Sequence, residues 1–251
     1  MAVKEIVKPI ILQRADPWIY KHTDGYYYFT ASVPEYDRIE IRRSKTINGL
    51  AESEAVTVWR KHKEGMLSAN IWAPEIHYID GKWYVYFAAA RTTETKEGLF
   101  DHRIFVLENE SENPLEGSWV EKGQLKTNWE SFALDATTFE HKGIRYLVWA
   151  QKDPNICGNS NLYIAKMSNP WTIEGKQYFT LVCLLETLGI RQLCTRIGYQ
   201  LGTIRKQDSH LFAHWHRDML HLCHRLDLRE QNLIAHASLD SPNTSNNDCH
   251  Q

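Results

Sequence analysis

The 251-residue sequence has no long apolar run, few cysteines and almost no net charge. It lacks the about 18 consecutive apolar residues of a transmembrane helix, so no segment is expected to span a bilayer. Five irregularly spaced cysteines do not predict a disulfide framework. The formal net charge of −2 argues against nucleic-acid and membrane-surface partners, because both select a basic face. The N-terminus lacks the apolar core of a signal peptide, which predicts a cytoplasmic protein, or a secreted one if a leader is missing.

The composition changes near residue 180. Of the 29 aromatic residues, 26 precede residue 181, whereas 7 of the 12 histidines and 4 of the 5 cysteines follow residue 180. This break predicts two parts. Residues 1–180 are expected to form an ordered domain, and residues 181–251 an atypical, poorly structured tail.

A glycine turn followed by an aromatic run occurs three times in the first part. The turn glycines are Gly25, Gly81 and Gly143, which are 56 and 62 residues apart, and Asn113 and Asn169 are also 56 apart. Glycine accepts the positive φ of a tight turn, and aromatic and β-branched runs favour strands. The interval predicts an all-β fold built from propeller blades. A β-sandwich is the competing interpretation.

Three acidic residues lie shortly before these turns. Asp16, Glu75 and Asp135 precede their turn glycines by 9, 6 and 8 residues respectively. Equivalent positions in successive blades converge at one end of the central channel, which gives distant carboxylates a reason to meet. Each also has a structural interpretation: Asp16 before a proline as a turn former, Asp135 as a strand cap and Glu75 as an acceptor for backbone donors.

Four collinear segments resemble glycoside hydrolase family 43, most closely its exo-acting 1,5-α-L-arabinofuranosidases. These segments are ADP at 15–17, HTDGYYYFTAS at 22–32, IWAPEIH at 71–77 and LDAT at 134–137. The resemblance covers about residues 8–180. It implies a five-bladed β-propeller and the inverting hydrolysis of terminal arabinofuranosyl residues from arabinan or arabino-oligosaccharides.

The resemblance also implies roles for individual residues. Asp16 corresponds to the base that activates water, and Asp135 to a helper that orients the general acid and adjusts its pKa. Trp72 corresponds to a residue lining the sugar subsite, although packing between blades would account for it equally well. No cofactor and no metal ion are implied, because water is the co-substrate.

The family's general acid, which lies in an Asn-Glu-Gly-Pro motif, has no counterpart here. After residue 180 the only glutamates are Glu186 and Glu230, and neither has that setting. Five blades would need about 280–310 residues, so the predicted propeller is incomplete. When residues 208–231 are back-translated and read in a shifted frame, the codons permit a peptide rich in strand-forming residues that resembles a later blade of the family. We hypothesise that a base insertion or deletion near codon 180 replaced the last blades by an out-of-frame peptide.

The tail also has an interpretation as a real structure. It contains a cluster of potential zinc ligands: His210, His214, His216, His221, Cys223 and His224. Their spacing matches no paired zinc motif, so no specific metal site is expected. Residues 219–228 could form a short amphipathic helix that covers a blade edge.

The sequence therefore predicts an arabinofuranosidase-type hydrolase that is impaired because its proton donor is missing. The alternatives are a non-catalytic carbohydrate-binding propeller fragment, a metal-binding or interaction protein built on the tail, and a family member with β-xylosidase or endo-arabinanase specificity. The predicted partner is arabinan or an arabino-oligosaccharide. The oligomeric state is not readable from the sequence.

Overall fold

The computed structural model describes residues 10–156 and 159–179. In this part of the chain there are twelve β-strands, one short 3₁₀ helix at Asn48–Leu50 and no α-helix. The strands form three antiparallel sheets, each made from four strands that are consecutive in sequence. The all-β prediction is confirmed. Within the described ranges, no helix is long and apolar enough to cross a membrane.

Each sheet is a meander in which every strand pairs with the next one along the chain. Sheet 1 contains β1 (Ala15–Lys21), β2 (Tyr27–Ser32), β3 (Arg38–Ser44) and β4 (Val56–Arg60). Sheet 2 contains β5 (Ala69–Ile79), β6 (Lys82–Ala90), β7 (Arg103–Asn109) and β8 (Val120–Gln124). Sheet 3 contains β9 (Ala133–His141), β10 (Ile144–Gln151), β11 (Asn161–Asn169) and β12 (Thr172–Phe179).

The predicted glycine turns connect the first and second strands of each sheet. Gly25, Gly81 and Gly143 have φ values of 87°, 85° and 74°, which only glycine adopts without a steric penalty. The two repeated asparagines lie where the third strand leads to the fourth in sheets 2 and 3: Asn113 follows β7, and Asn169 is the last residue of β11. The side-chain oxygen of Asn113 accepts the Leu115 N–H at 3.3 Å, and that of Asn169 accepts the Trp171 N–H at 3.0 Å. The 56-residue repeat therefore marks equivalent turns.

Sheet 2 is buried on both faces because its neighbours lie on opposite sides. Alternate side chains of β6 enter two separate cores. Trp83, Val85 and Phe87 pack with sheet 1, whereas Tyr84 and Tyr86 pack with sheet 3. This is the period of two expected of a strand. A two-layer sandwich has one core between its layers, so the sandwich interpretation is wrong for these three sheets.

The first strands of the three sheets lie next to one another. β5 packs against β1 and β2, and β9 packs against β5, β6 and β7. The Tyr86 hydroxyl donates to the Pro170 carbonyl at 2.5 Å and so ties sheet 2 to sheet 3. The residues predicted to be functional all lie on the three first strands, which the packing between sheets brings together.

Candidate active site

The first strand of each sheet contains a β-bulge at the same place. Relative to the partner strand, β1 has one extra residue between Ala15 and Trp18, and β5 has one between Trp72 and Glu75. In β9 the extra residue lies between Leu134 and Thr137. A bulge bends its strand and redirects a side chain, and bulges are common beside active sites.

Each bulge holds a non-glycine residue with positive φ. These residues are Asp16 at 50°, Ala73 at 45° and Asp135 at 54°. Such conformations cost on the order of 1 kcal/mol or more and persist where the surroundings impose them. The two predicted catalytic aspartates therefore occupy the same position of the repeat. Glu75 does not, because its equivalents by strand register are Trp18 and Thr137.

The three acidic residues are close enough for their charges to interact. Burial raises the pKa of Asp135 to about 8, and the negative charges of Asp16 and Glu75 add to the effect. Burial also raises the pKa of Asp16; a hydrogen bond from Ser32 opposes this, and the charge of Glu75 reinforces it. At neutral pH, Asp135 is consequently the carboxyl group that keeps a proton.

Ser32 connects Asp16 to the backbone of the neighbouring sheet. Its hydroxyl donates to Asp16 Oδ2 at 3.1 Å and accepts the Ala73 N–H at 2.8 Å. A hydroxyl has one proton to donate, and the Ala73 contact uses Ser32 as an acceptor, so that proton is directed at the aspartate. Ser32 is only 2% exposed. The bulge of β5 thus contributes the backbone N–H of Ala73, whereas the bulges of β1 and β9 contribute Asp16 and Asp135.

Glu75 pairs with a histidine on its own strand. The His77 Nε2–Glu75 Oε2 distance is 3.2 Å, and the two side chains are 8% and 13% exposed. The His77 ring packs against Trp18, with 5.0 Å between centroids. The partner found for Glu75 is therefore a side chain and not the backbone donors expected from the sequence. Its charge still acts on both aspartates.

Trp72 directly precedes the bulge residue Ala73, and its side chain lies in an aromatic cluster. Its ring stacks on His102 at 4.1 Å between centroids and makes edge contacts with Tyr36 at 5.7 Å and Phe100 at 5.0 Å. The indole N–H is buried without a hydrogen-bond partner. The ring thus makes contacts with both sheet 1 and sheet 2, and its role in lining the sugar subsite stays a prediction.

His102 is the buried centre of this aromatic cluster. Burial lowers its pKa to about 4, while the hydrogen bond with the Asn70 carbonyl, at 3.0 Å, opposes the decrease. His102 is therefore neutral at pH 7. Neither it nor Ser32 was identified from the sequence as part of the site. Ser32 lies within a quoted motif, but only the fold reveals its partners.

The predictions for the tail lie outside the described residues. They concern the histidine and cysteine cluster, the helix at 219–228 and the out-of-frame segment. Among the residues that are described, no three His, Cys, Asp or Glu side chains form a group suited to a metal ion.

The chain belongs to the glycosyl hydrolases family 43, whose sequence profile it matches over residues 6–187. It is 58% identical over 167 residues to an extracellular exo-alpha-(1->5)-L-arabinofuranosidase of Streptomyces avermitilis, covering 66% of this chain and 34% of the relative. It is 56% identical over 170 residues to alpha-L-arabinofuranosidase 43 of Humicola insolens, covering 67% and 34%. The chain thus spans about a third of the length of these curated relatives.

A solved structure is also similar to this chain. The crystal structure of an alpha-L-arabinofuranosidase from Lactobacillus brevis matches with a TM-score of 0.66 and 58% identity, over 67% of this chain and 54% of that one. A thermostable family-43 glycoside hydrolase matches with a TM-score of 0.53 and 20% identity, over 67% and 53% of the two chains, which supports the fold alone. The family resemblance inferred from the sequence motifs is confirmed.

Proposed function

We propose that this chain is an α-L-arabinofuranosidase-type inverting hydrolase with an incomplete catalytic apparatus. The observation that carries the proposal is the convergence of Asp16 and Asp135 at equivalent bulges of adjacent first strands, with Glu75 close enough to raise the pKa of both. The relatives at 56–58% identity are named arabinofuranosidases, and members of the family are inverting glycosidases. Arabinan and arabino-oligosaccharides are the proposed substrates.

In this proposal Asp16 is the general base. An inverting enzyme activates water with one carboxylate and protonates the leaving oxygen with a carboxylic acid on the opposite side of the sugar, about 6.5–9.5 Å away. The Ser32 hydroxyl stabilises ionised Asp16, which is the form that a base requires. Asp135 lies in the same acidic cluster. There it would orient a general acid supplied by a later blade and adjust the pKa of that acid.

The proposed fold is the beginning of a five-bladed propeller. Sheets 1 to 3 correspond to the first three blades, and the general acid would belong to the fourth. The family match ends at residue 187, which supports the hypothesis that residues beyond about 180 are out of frame. Sequencing the gene around codons 175–200 tests this hypothesis, because an uninterrupted frame that encodes no family blade in either alternative frame would exclude it.

The missing acid predicts a specific kinetic defect. Protonation of the leaving group contributes about 10²–10⁴-fold to the rate, and it matters most when the leaving group is a poor one such as an alkoxide. We expect slow hydrolysis of 2,4-dinitrophenyl α-L-arabinofuranoside, whose phenolate leaves without a proton, and no measurable release of arabinose from arabinobiose. The rate should fall steeply as the leaving-group pKa rises across a series of aryl substrates.

Asp16→Asn should abolish the residual hydrolysis. The matched control is Asp80→Asn, because Asp80 also has positive φ, at 50°, but is exposed in the β5–β6 turn. Rapid hydrolysis of arabinobiose that depends on Asp16 would show that another group donates the proton, and the claim of impairment would then be wrong. Asp135, which keeps a proton at neutral pH, would be the first residue to test for that role.

The missing acid also favours a second function, carbohydrate binding without hydrolysis. Calorimetry with arabinotriose distinguishes the two, since binding without release of reducing sugar supports a binding module. The solved β-xylosidase and endo-arabinase relatives are only 17–20% identical to this chain, so they bear on the fold and not on specificity.

The names of relatives also bear on the location of the protein. Two Streptomyces relatives are named extracellular, which fits the secreted alternative and gives no support to the cytoplasmic prediction. We therefore propose an extracellular site of action. Detection of the protein in culture medium, beside an intracellular marker that stays within the cells, tests this.

A further inference from the structure

A concave region away from the acidic cluster lies between sheets 1 and 2. It is a cleft of about 650 Å³ bordered by the β1–β2 turn, the ends of β3 and β5, and the connection between β7 and β8. We call it the turn cleft and define it by Thr23, Tyr26, Arg43, Tyr78 and Glu112. None of the roles proposed above uses it.

The turn cleft is distant from the acidic cluster. His22, which lines the cleft, directly follows β1 and comes six residues after Asp16. One of these residues is the bulge, and a strand rises about 3.3 Å per residue, so the two are roughly 16 Å apart. Tyr78 follows Ala73 by five residues along β5, one of them in the bulge, or roughly 13 Å. A sugar bound in the cleft would not occupy the catalytic centre.

The sheet 1 side of the cleft is held in place by hydrogen bonds. The Tyr28 hydroxyl donates to Asp24 Oδ2 at 2.6 Å, and the Tyr26 N–H donates to Asp24 Oδ1 at 2.8 Å. The Arg43 guanidinium lies over the Tyr26 ring, 4.6 Å from its centroid. These contacts fix an aromatic surface with adjacent polar groups before any ligand binds, which lowers the entropic cost of binding.

The charges of the cleft restrict the class of ligand. Its lining contains three carboxylates, those of Asp24, Glu112 and Glu116, and one guanidinium, that of Arg43. An excess of negative charge disfavours phosphate, sulfate and uronic acids. Within the described residues no side-chain group is suited to a metal ion. Aromatic rings beside carboxylate, amide and hydroxyl groups instead suit an uncharged polyhydroxylated ligand, which offers C–H faces and many hydroxyl donors.

We propose that the turn cleft binds a segment of an arabinan chain outside the catalytic centre. This inference rests on the proposed function, which supplies the kind of sugar. The cleft holds the polymer between sheets 1 and 2, at the end of β1 and β5 that is remote from the acids, and so raises the local concentration of chain ends near the enzyme.

Affinity electrophoresis of the full chain through gels containing debranched arabinan tests the proposal. Glu112→Ala removes an exposed carboxylate, and Tyr26→Leu removes the aromatic face while keeping an apolar side chain against the core. Each variant should weaken retention about tenfold, as expected for losing one charged hydrogen bond or one aromatic contact. Glu64→Ala, at an exposed glutamate outside the cleft, is the matched control and should migrate as the unsubstituted chain does.

The outcomes separate this inference from the proposed function. If both cleft variants are retained as strongly as the unsubstituted chain, the cleft binds no arabinan and the inference is wrong. Equal retention of the unsubstituted chain in gels of uncharged xylan would overturn the assignment to arabinan. Hydrolysis of the dinitrophenyl arabinofuranoside is measured separately, so its Asp16-dependent presence would leave the proposed function standing even if the cleft proposal fails.

Discussion

Replacing Asp135 by Asn should make the stability of the protein less dependent on pH. Burial and the charges of Asp16 and Glu75 raise the pKa of Asp135 to about 8 in the folded state, whereas an aspartate in the unfolded chain titrates near 3.9. Between these values the folded protein binds a proton that the unfolded chain has lost. The free energy of unfolding therefore decreases as the pH rises from about 4 to about 8.

The size of the effect follows from the pKa difference. One pKa unit corresponds to about 1.4 kcal/mol, so a difference of about four units sets an upper limit near 6 kcal/mol. The Asp135 residue keeps some solvent contact, and the ionised cluster can relax, so we expect about 2 kcal/mol. Asp135→Asn should accordingly be more stable than the unsubstituted protein at pH 9 by roughly 4–8 °C in Tm, and little different at pH 4.

Thermal unfolding followed by tryptophan fluorescence between pH 4 and 9 measures this difference. Asp80→Asn is the control, because it makes the same substitution at a similar φ in an exposed turn. Glu75→Gln should lower the pKa of Asp135 in the folded state. The decrease of the free energy of unfolding with rising pH should then be complete at a lower pH. Parallel Tm curves for Asp135→Asn and the unsubstituted protein would refute the assignment of a bound proton to Asp135.

Three further substitutions test other contacts of the site and the core. Ser32→Ala should raise the pKa of Asp16, which would move the acidic limb of a kcat/KM profile to higher pH; carboxyl-carbon NMR titration measures the same change without turnover. Trp72→Ala should lower the free energy of unfolding by about 2 kcal/mol, because its stacked and edge contacts are lost, and urea unfolding checks this. Tyr86→Phe should cost about 1–3 kcal/mol in the same assay, because it leaves the buried Pro170 carbonyl without its donor. An unchanged urea midpoint in either variant would contradict the contact concerned.

The turns and the division into sheets were predictable because they depend on local chemistry. Gly25, Gly81 and Gly143 each provide the positive φ that a tight turn requires, and the runs after them have the composition of buried strands. The outer strand β8, Val120–Gln124, is mostly exposed. Its sequence, VEKGQ, therefore has no apolar alternation that could have predicted it.

The details of the site depended on relations between strands that a sequence pattern does not contain. Asp16-Pro17 has the sequence of a turn, yet it lies inside β1 at a bulge. The hydroxyl of Ser32 reaches both Asp16 and the backbone of another sheet, a contact over 41 residues of sequence for its Ala73 partner. Counting back from the turn glycines would have placed Ala73 in register with Asp135, since both lie eight residues before their glycine.

In the proposed mechanism, the order of the sheets explains why the described residues contain a base but no counterpart of the family's general acid. Sheet 2 contributes to a core on each of its two faces, and within the described residues no further sheet follows sheet 3. In the proposed propeller the fourth blade would follow sheet 3 and carry the acid toward the leaving oxygen. In the proposed mechanism the described sheets supply Asp16 as the carboxylate that activates water and Asp135 as its protonated neighbour, so they would assist attack on the sugar. Departure of the leaving group would then depend on its own acidity, so the series of aryl substrates measures most directly what the proposed fourth blade would contribute.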